Sequence, residues 1–148
     1  MKIAATFAAA AVVALTVTSV VAQSDPVATR EKLMKENGRQ AVIVVHMMKG
    51  QAPYDAGAAD AAFAQWADTA RKLPSLFPDS AKTGGDNRAS PKIWENKKDF
   101  EAKIADFAKV VADNRDKAKS SLDGLKVAVA AVGKSCSDCH KDYRLSKQ

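Results

Sequence analysis

From Ser24 onward the apolar residues recur at spacings of three and four in four stretches, and no stretch alternates apolar with polar. That period lines apolar side chains along one stripe of an α-helix and is wrong for a half-buried strand. The first stretch enters through Ser24-Asp25-Pro26, a cap followed by proline in the first turn, and stops at Gly50. Its stripe is Val27, Met34, Gly38, Ala41, Val45 and Met48, with Arg30 or Glu31 in the gap. The second starts at Asp55, ends before Pro74 and carries Ala59, Phe63, Trp66, Ala70 and Leu73. PSLFPDSAKTGGDNRASP follows, too rich in proline and glycine to be helical. The third helix enters through Ser90-Pro91, settles near Asp99, and carries Phe100, Ile104, Phe107, Val111 and Ala118. The fourth begins after Ser120-Ser121 with Leu122, Leu125, Val129, Val132, Cys136, Cys139 and Tyr143. Four helices of similar length and mostly short connections predict an all-α, antiparallel up-down-up-down four-helix bundle.

The stretch before these helices fixes the compartment. MKIAATFAAAAVVALTVTSVVAQSDP holds one basic residue, Lys2, then an uncharged run to Ala22 that closes on Val20-Val21-Ala22. Small residues at the positions a signal peptidase reads predict a cleaved signal peptide, residues 1–22, and a single mature domain, residues 23–148. The competing reading is an uncleaved anchor, but alanine and threonine make the run a weak one, so no stable membrane insertion is expected after cleavage. The expected destination is a bacterial periplasm. The formal net charge is +6, and loss of Lys2 takes one unit off. Such a surface favours acidic partners through steering. Its basic residues do not cluster with aromatics, so nucleic acid is not an expected ligand.

Both cysteines of the chain stand in CSDCHKDYR, residues 136–144, and His140 follows Cys139 directly. On a helix Cys136, Cys139 and His140 span an arc of about 100°, on the core-facing stripe. Three chemistries use such a set. A thiol redox pair belongs at a helix N-terminus, where the dipole lowers the thiol pKa, and this one sits in the last turns. A zinc site needs four ligands, and beyond this cluster the chain offers only His46 and carboxylates. C-x-x-C-H is the attachment signature of haem c, with both thiols bonded to the macrocycle and the histidine on iron. An exported chain without other cysteines fits that reading, which makes His140 an axial iron ligand. A haem-free thiol protein is the alternative.

C-x-x-C-H followed by KDYR at the end of the fourth helix resembles the class II c-type cytochromes, the cytochrome c′ family. RKLPSLFPDSAKTGGDNR followed by SPKIW is similar to the long second connection of that family, and the likeness runs from Asp25 to Arg144. The resemblance implies one covalent haem c. It divides into two branches: in cytochrome c′ proper the second haem face is apolar and binds gases, and in the branch similar to cytochrome c-556 a methionine of the first helix completes the coordination. In TREKLMKENGR the family's ligand position falls on Met34. Antiparallel first and fourth helices also bring Met34, about two turns into one, level with His140, about one turn from the end of the other. A register shifted by one residue would put Leu33 over the iron instead. His46 lies about 18 Å beyond Met34 along the axis, with Met47 and Met48, which argues for surface or packing roles.

The same topology brings Leu73, Leu76, Phe77, Trp94, Phe100 and Ile104 to the haem end as pocket walls. The family position of Arg30 implies a haem propionate as its partner, and Arg144, four residues after His140, is a further candidate on the proximal side. The expected function is one-electron transfer with redox partner proteins of acidic surface. The alternative is a five-coordinate protein that binds nitric oxide or carbon monoxide. No base is paired with a nucleophile and no second metal set is present in the sequence, so an enzyme is not expected. Relatives of this kind often pair through the first two helices, which makes a homodimer an expectation as well.

Overall fold

The computed structural model describes residues 25–84 and 87–146; the expected signal peptide lies outside the described residues. Among the described residues, five α-helices and two 3-10 turns occur in this order: α1 (Pro26–Met48), α2 (Ala56–Lys72), the turns Leu73–Leu76 and Asp79–Ala81, α3 (Lys92–Glu95), α4 (Lys97–Ser120) and α5 (Leu122–Tyr143). The only β-type pairing among the described residues is an isolated antiparallel bridge between Ala89 and Arg144. α1, α2, α4 and α5 form the antiparallel bundle, each packing on the next, and α1 closes the ring against α5 in its sparsest seam.

Local chemistry sets the helix ends. Asp25 accepts from the Val27 N–H at 2.8 Å, with Pro26 at the first helical position. Asp55 accepts from the Ala58 N–H at 2.8 Å, and Ser121 Oγ from the Gly124 N–H at 3.0 Å. Gly50 ends α1 at φ 71°, a left-handed conformation that a side chain would strain. At Gly124 the α4–α5 turn is so tight that a Cβ would lie 2.2 Å from the Lys117 carbonyl oxygen.

Two apolar clusters fill the bundle. The larger contains Val44, Met47, Phe63, Trp66, Val111, Leu125 and Val132, all nearly inaccessible. Full burial of one such side chain contributes about 1.5–3 kcal/mol. The smaller, at the other end, consists of Leu73, Phe77, Ile93, Phe100, Ile104 and Tyr143. Between α2 and α4, Arg115 donates to both carboxylate oxygens of Asp60, at 2.7 and 2.9 Å.

Three expectations are corrected. The long connection is not devoid of helix, because Leu73–Leu76 and Asp79–Ala81 coil into 3-10 turns that fold it onto the smaller cluster. The third helix comes in two pieces, with Asn96 (φ −130°, ψ 53°) turning the chain between α3 and α4. The stripe of α1 also differs: Val27, Arg30, Leu33, Val44 and Met47 are its buried residues, Gly38 is exposed and Val45 half-buried. Polar residues carry part of that stripe. Thr69, fully buried on α2, donates to Asn37 Oδ1 at 2.8 Å, and Trp66 Nε1 donates to the Asn37 carbonyl at 3.3 Å. Of the two candidates for the gap in the stripe, Arg30 is the buried one, and the stripe misses Asn37.

Candidate functional site

Cys136 and Cys139 are free, half-buried thiols one turn apart on α5, and they bridge the two clusters: Cys136 packs on the larger, Cys139 on the smaller. Burial pushes both thiols up, Cys139 to about 11. A thiolate redox pair needs the opposite shift. His140 is half-buried, and desolvation, then the charges of Arg144 and Arg88, push its imidazole below its ordinary value. The neutral ring keeps the lone pair that ligates a metal. Among the described residues no three of His, Cys, Asp and Glu converge as a metal site of their own.

The smaller cluster is built of edge-to-face aromatics. Ring centroids lie 6.1 Å apart for Phe77–Trp94, 4.6 Å for Phe77–Phe100 and 5.1 Å for Phe100–Tyr143. Half-buried Trp94 is held by its Nε1–H to the Pro78 carbonyl at 3.3 Å. Leu73, Leu76, Phe77, Trp94, Phe100 and Ile104 all gather here, as the topology implied, together with Ile93 and Ala89. Ile93 escaped the sequence reading because a four-residue helix carries no period.

Met34 is half-buried and packs on this same cluster, as Cys139 does. Leu33 is buried, 8% exposed, outside both clusters. His46 is exposed at the far end of α1, Met47 is buried in the larger cluster, and Met48 packs against it. Arg30 is also buried. Its Nη1 donates to the Leu76 carbonyl at 2.6 Å, its Nη2 to the Ala81 carbonyl and to Asn87 Oδ1, both at 3.1 Å, and it lies 4.6 Å from the Phe77 ring centroid. It is the strut between α1 and the long connection. Arg144 is exposed, and its N–H caps α5 on the His140 carbonyl at 3.2 Å.

A second strap crosses just past His140. Ser90 N–H donates to the Tyr143 carbonyl at 3.0 Å and Leu145 N–H to the Arg88 carbonyl at 2.9 Å, around the Ala89–Arg144 bridge. Tyr143 adds a hydrogen bond from its hydroxyl to Asp99 on α4. The end of α5 is thereby fixed to both the connection and α4.

Comparison with known proteins joins this geometry to a family. The family model described as Cytochrome C′ matches residues 25–144. The chain belongs to the cytochrome c′ family. It is 44% identical over 134 residues to a cytochrome c-556 of Rhodopseudomonas palustris, covering 88% of this chain and 89% of that one. It is 37% identical over 127 residues to a cytochrome c′ of the same organism, covering 86% of each. A solved cytochrome c′ from Rhodopseudomonas palustris superposes with a TM-score of 0.80 at 35% identity, over 85% of this chain and all of that one.

Members of the cytochrome c′ family carry covalent haem c, and this cytochrome fits that cofactor. Its two thiols stand one turn apart beside an imidazole kept neutral, at the edge of an apolar cluster rich in aromatic rings.

Proposed function

We propose that this cytochrome is a one-electron carrier of the periplasm, with Cys136 and Cys139 holding haem c and His140 and Met34 as the two axial ligands. Haem bound there supplies an iron that takes up and releases one electron. The chain's own residues do the rest. His140 would hold the iron through its imidazole and Met34 through its thioether, a ligand that would favour the reduced state. Phe77, Phe100, Trp94 and Leu73, packed in one apolar cluster, would keep water from the macrocycle. Partners of acidic surface are expected to meet the cations of this end. A second copy pairing through α1 and α2 would cover Val42 and Ile43, which stand exposed on α1. No helix among the described residues is long and apolar enough to cross a membrane.

The observation that carries the reading is that Met34 and Cys139 rest on one cluster, whereas His46, Met47 and Met48 do not. The likeness to cytochrome c-556 points the same way. One observation favours the gas-binding reading: Leu33, one position before Met34, is the more deeply buried of the two. The spin state of the ferric protein separates the two. Low-spin iron with a weak near-infrared sulfur-to-iron band is expected. High-spin iron that binds carbon monoxide readily would assign the protein to the gas-binding branch.

A further inference from the structure

Asn37 sits on α1 one turn beyond Met34 and joins three side chains of α2. Its Oδ1 accepts from the Thr69 hydroxyl at 2.8 Å and from Gln65 Nε2 at 3.5 Å, and its carbonyl accepts from Trp66 Nε1 at 3.3 Å. Gln65 Nε2 also donates to Thr69 Oγ1 at 3.3 Å, which ties the donors to each other. Thr69 is fully buried and Trp66 nearly so. A hydroxyl at that depth costs stability once its acceptor is withdrawn, so α1 is not free to turn about its axis past α2. Apolar contacts alone would tolerate a modest turn, because they are non-directional. Hydrogen bonds would not, since they weaken steeply with distance and angle.

The rotation that this clamp fixes is the one that matters at the haem end. Around the helix, Met34 lies about 60° to one side of Asn37 and Leu33 about 40° to the other. Arg30, bound to the carbonyls of Leu76 and Ala81, lies about 20° from Asn37 and anchors the same face two turns earlier. Leu33 is buried outside both clusters, whereas Met34 rests with Cys139 on the smaller one. We propose that the Thr69–Asn37 hydrogen bond is a positioning device for iron ligation: it holds α1 at the rotation that turns the Met34 thioether, and not the Leu33 side chain, to the haem. This rests on the reading of Met34 as the sixth ligand. Thr69 and Asn37 act through Met34 and need not touch the cofactor.

The test measures how fast the ferrous holoprotein takes up carbon monoxide at saturating gas, a limiting rate that reports how often the Met34 thioether leaves the iron. Thr69→Val and Asn37→Ala should raise that rate about tenfold, the factor expected from one lost buried hydrogen bond. Both should also weaken the near-infrared sulfur-to-iron band of the ferric form. Thr69→Ser, which keeps the hydroxyl, should hold the wild-type rate. Val111→Ala, a cavity in the larger cluster on α4, should lower stability yet leave rate and band unchanged. If Asn37→Ala does not fold, Thr69→Val, which keeps the volume, carries the test. A low-spin wild type whose Thr69→Val variant binds carbon monoxide no faster than Val111→Ala would overturn the clamp alone. Equal acceleration in Thr69→Ser and Thr69→Val would assign the effect to packing and overturn it as well. A wild type already high-spin and indifferent to Met34→Ala would sink the ligand reading, and the clamp with it.

Discussion

Arg30 on α1 donates from Nη2 to Asn87 Oδ1 at 3.1 Å, across 57 positions of sequence, and the same guanidinium binds the carbonyls of Leu76 and Ala81. One buried cation thus organises a connection that has little regular structure of its own. Arg30→Met should cost about 2–4 kcal/mol, since it leaves three acceptors without a charged donor. Urea unfolding of the holoprotein measures this. Protease cleavage between residues 82 and 87 should quicken in parallel. An unchanged midpoint and cleavage rate would show that the connection holds itself.

Met34→Ala should turn the ferric protein high-spin, abolish the near-infrared band and open that face to carbon monoxide, with little loss of stability because Met34 is only half-buried. Met47→Ala should do the reverse. It leaves the spectrum intact but costs about 2–5 kcal/mol, since the side chain is 2% exposed in the larger cluster. Absorption spectra and thermal melts of the two variants decide it.

Thr69→Val keeps the volume of a fully buried residue but removes the donor to Asn37 Oδ1. The expected loss is about 1–3 kcal/mol by denaturant titration. Asn37→Ala combined with Thr69→Val should cost less than the sum of the single changes, because both break one interaction. Full additivity would show the pair to be uncoupled.

Arg115 holds the Asp60 carboxyl down at about 2, below its ordinary value. A depressed carboxylate contributes stability that is complete above the unfolded value and is lost as pH falls through the folded one. The wild-type melting temperature should therefore drop between about pH 4 and pH 2 by more than that of Asp60→Asn. Parallel curves would show the pair to be too exposed to matter.

Lys98 and Lys141 are exposed at the haem end, and Lys49 and Lys117 at the opposite end. Electron exchange with an acidic redox protein should slow as ionic strength rises. Reversing Lys98 and Lys141 to glutamate should flatten that dependence, and reversing Lys49 and Lys117 at the far end should not. Equal effects from both pairs would mean that net charge alone steers the encounter.

The sequence by itself determined what local chemistry can encode. Asp25, Asp55 and Ser121 cap their helices through bonds spanning two or three residues, and the three-and-four spacing of Phe63, Trp66 and Ala70 fixes which face turns inward. Cys136, Cys139 and His140 share a face simply because a helix repeats about every 3.6 residues. The tertiary structure decided the pairings that no period records. Arg30 and Asn37 lie on the buried side of α1 only because carbonyls of the connection and Thr69 of α2 are there to receive them, and a buried polar side chain is stable only where such partners exist. The long connection reads as turns in sequence, yet it leads into Ile93, which joins the expected Leu73 and Phe77 in the haem-end cluster, and it lays Arg88 against Leu145. Periodicity gives a direction around one helix axis. What stands in that direction depends on how the whole chain closes.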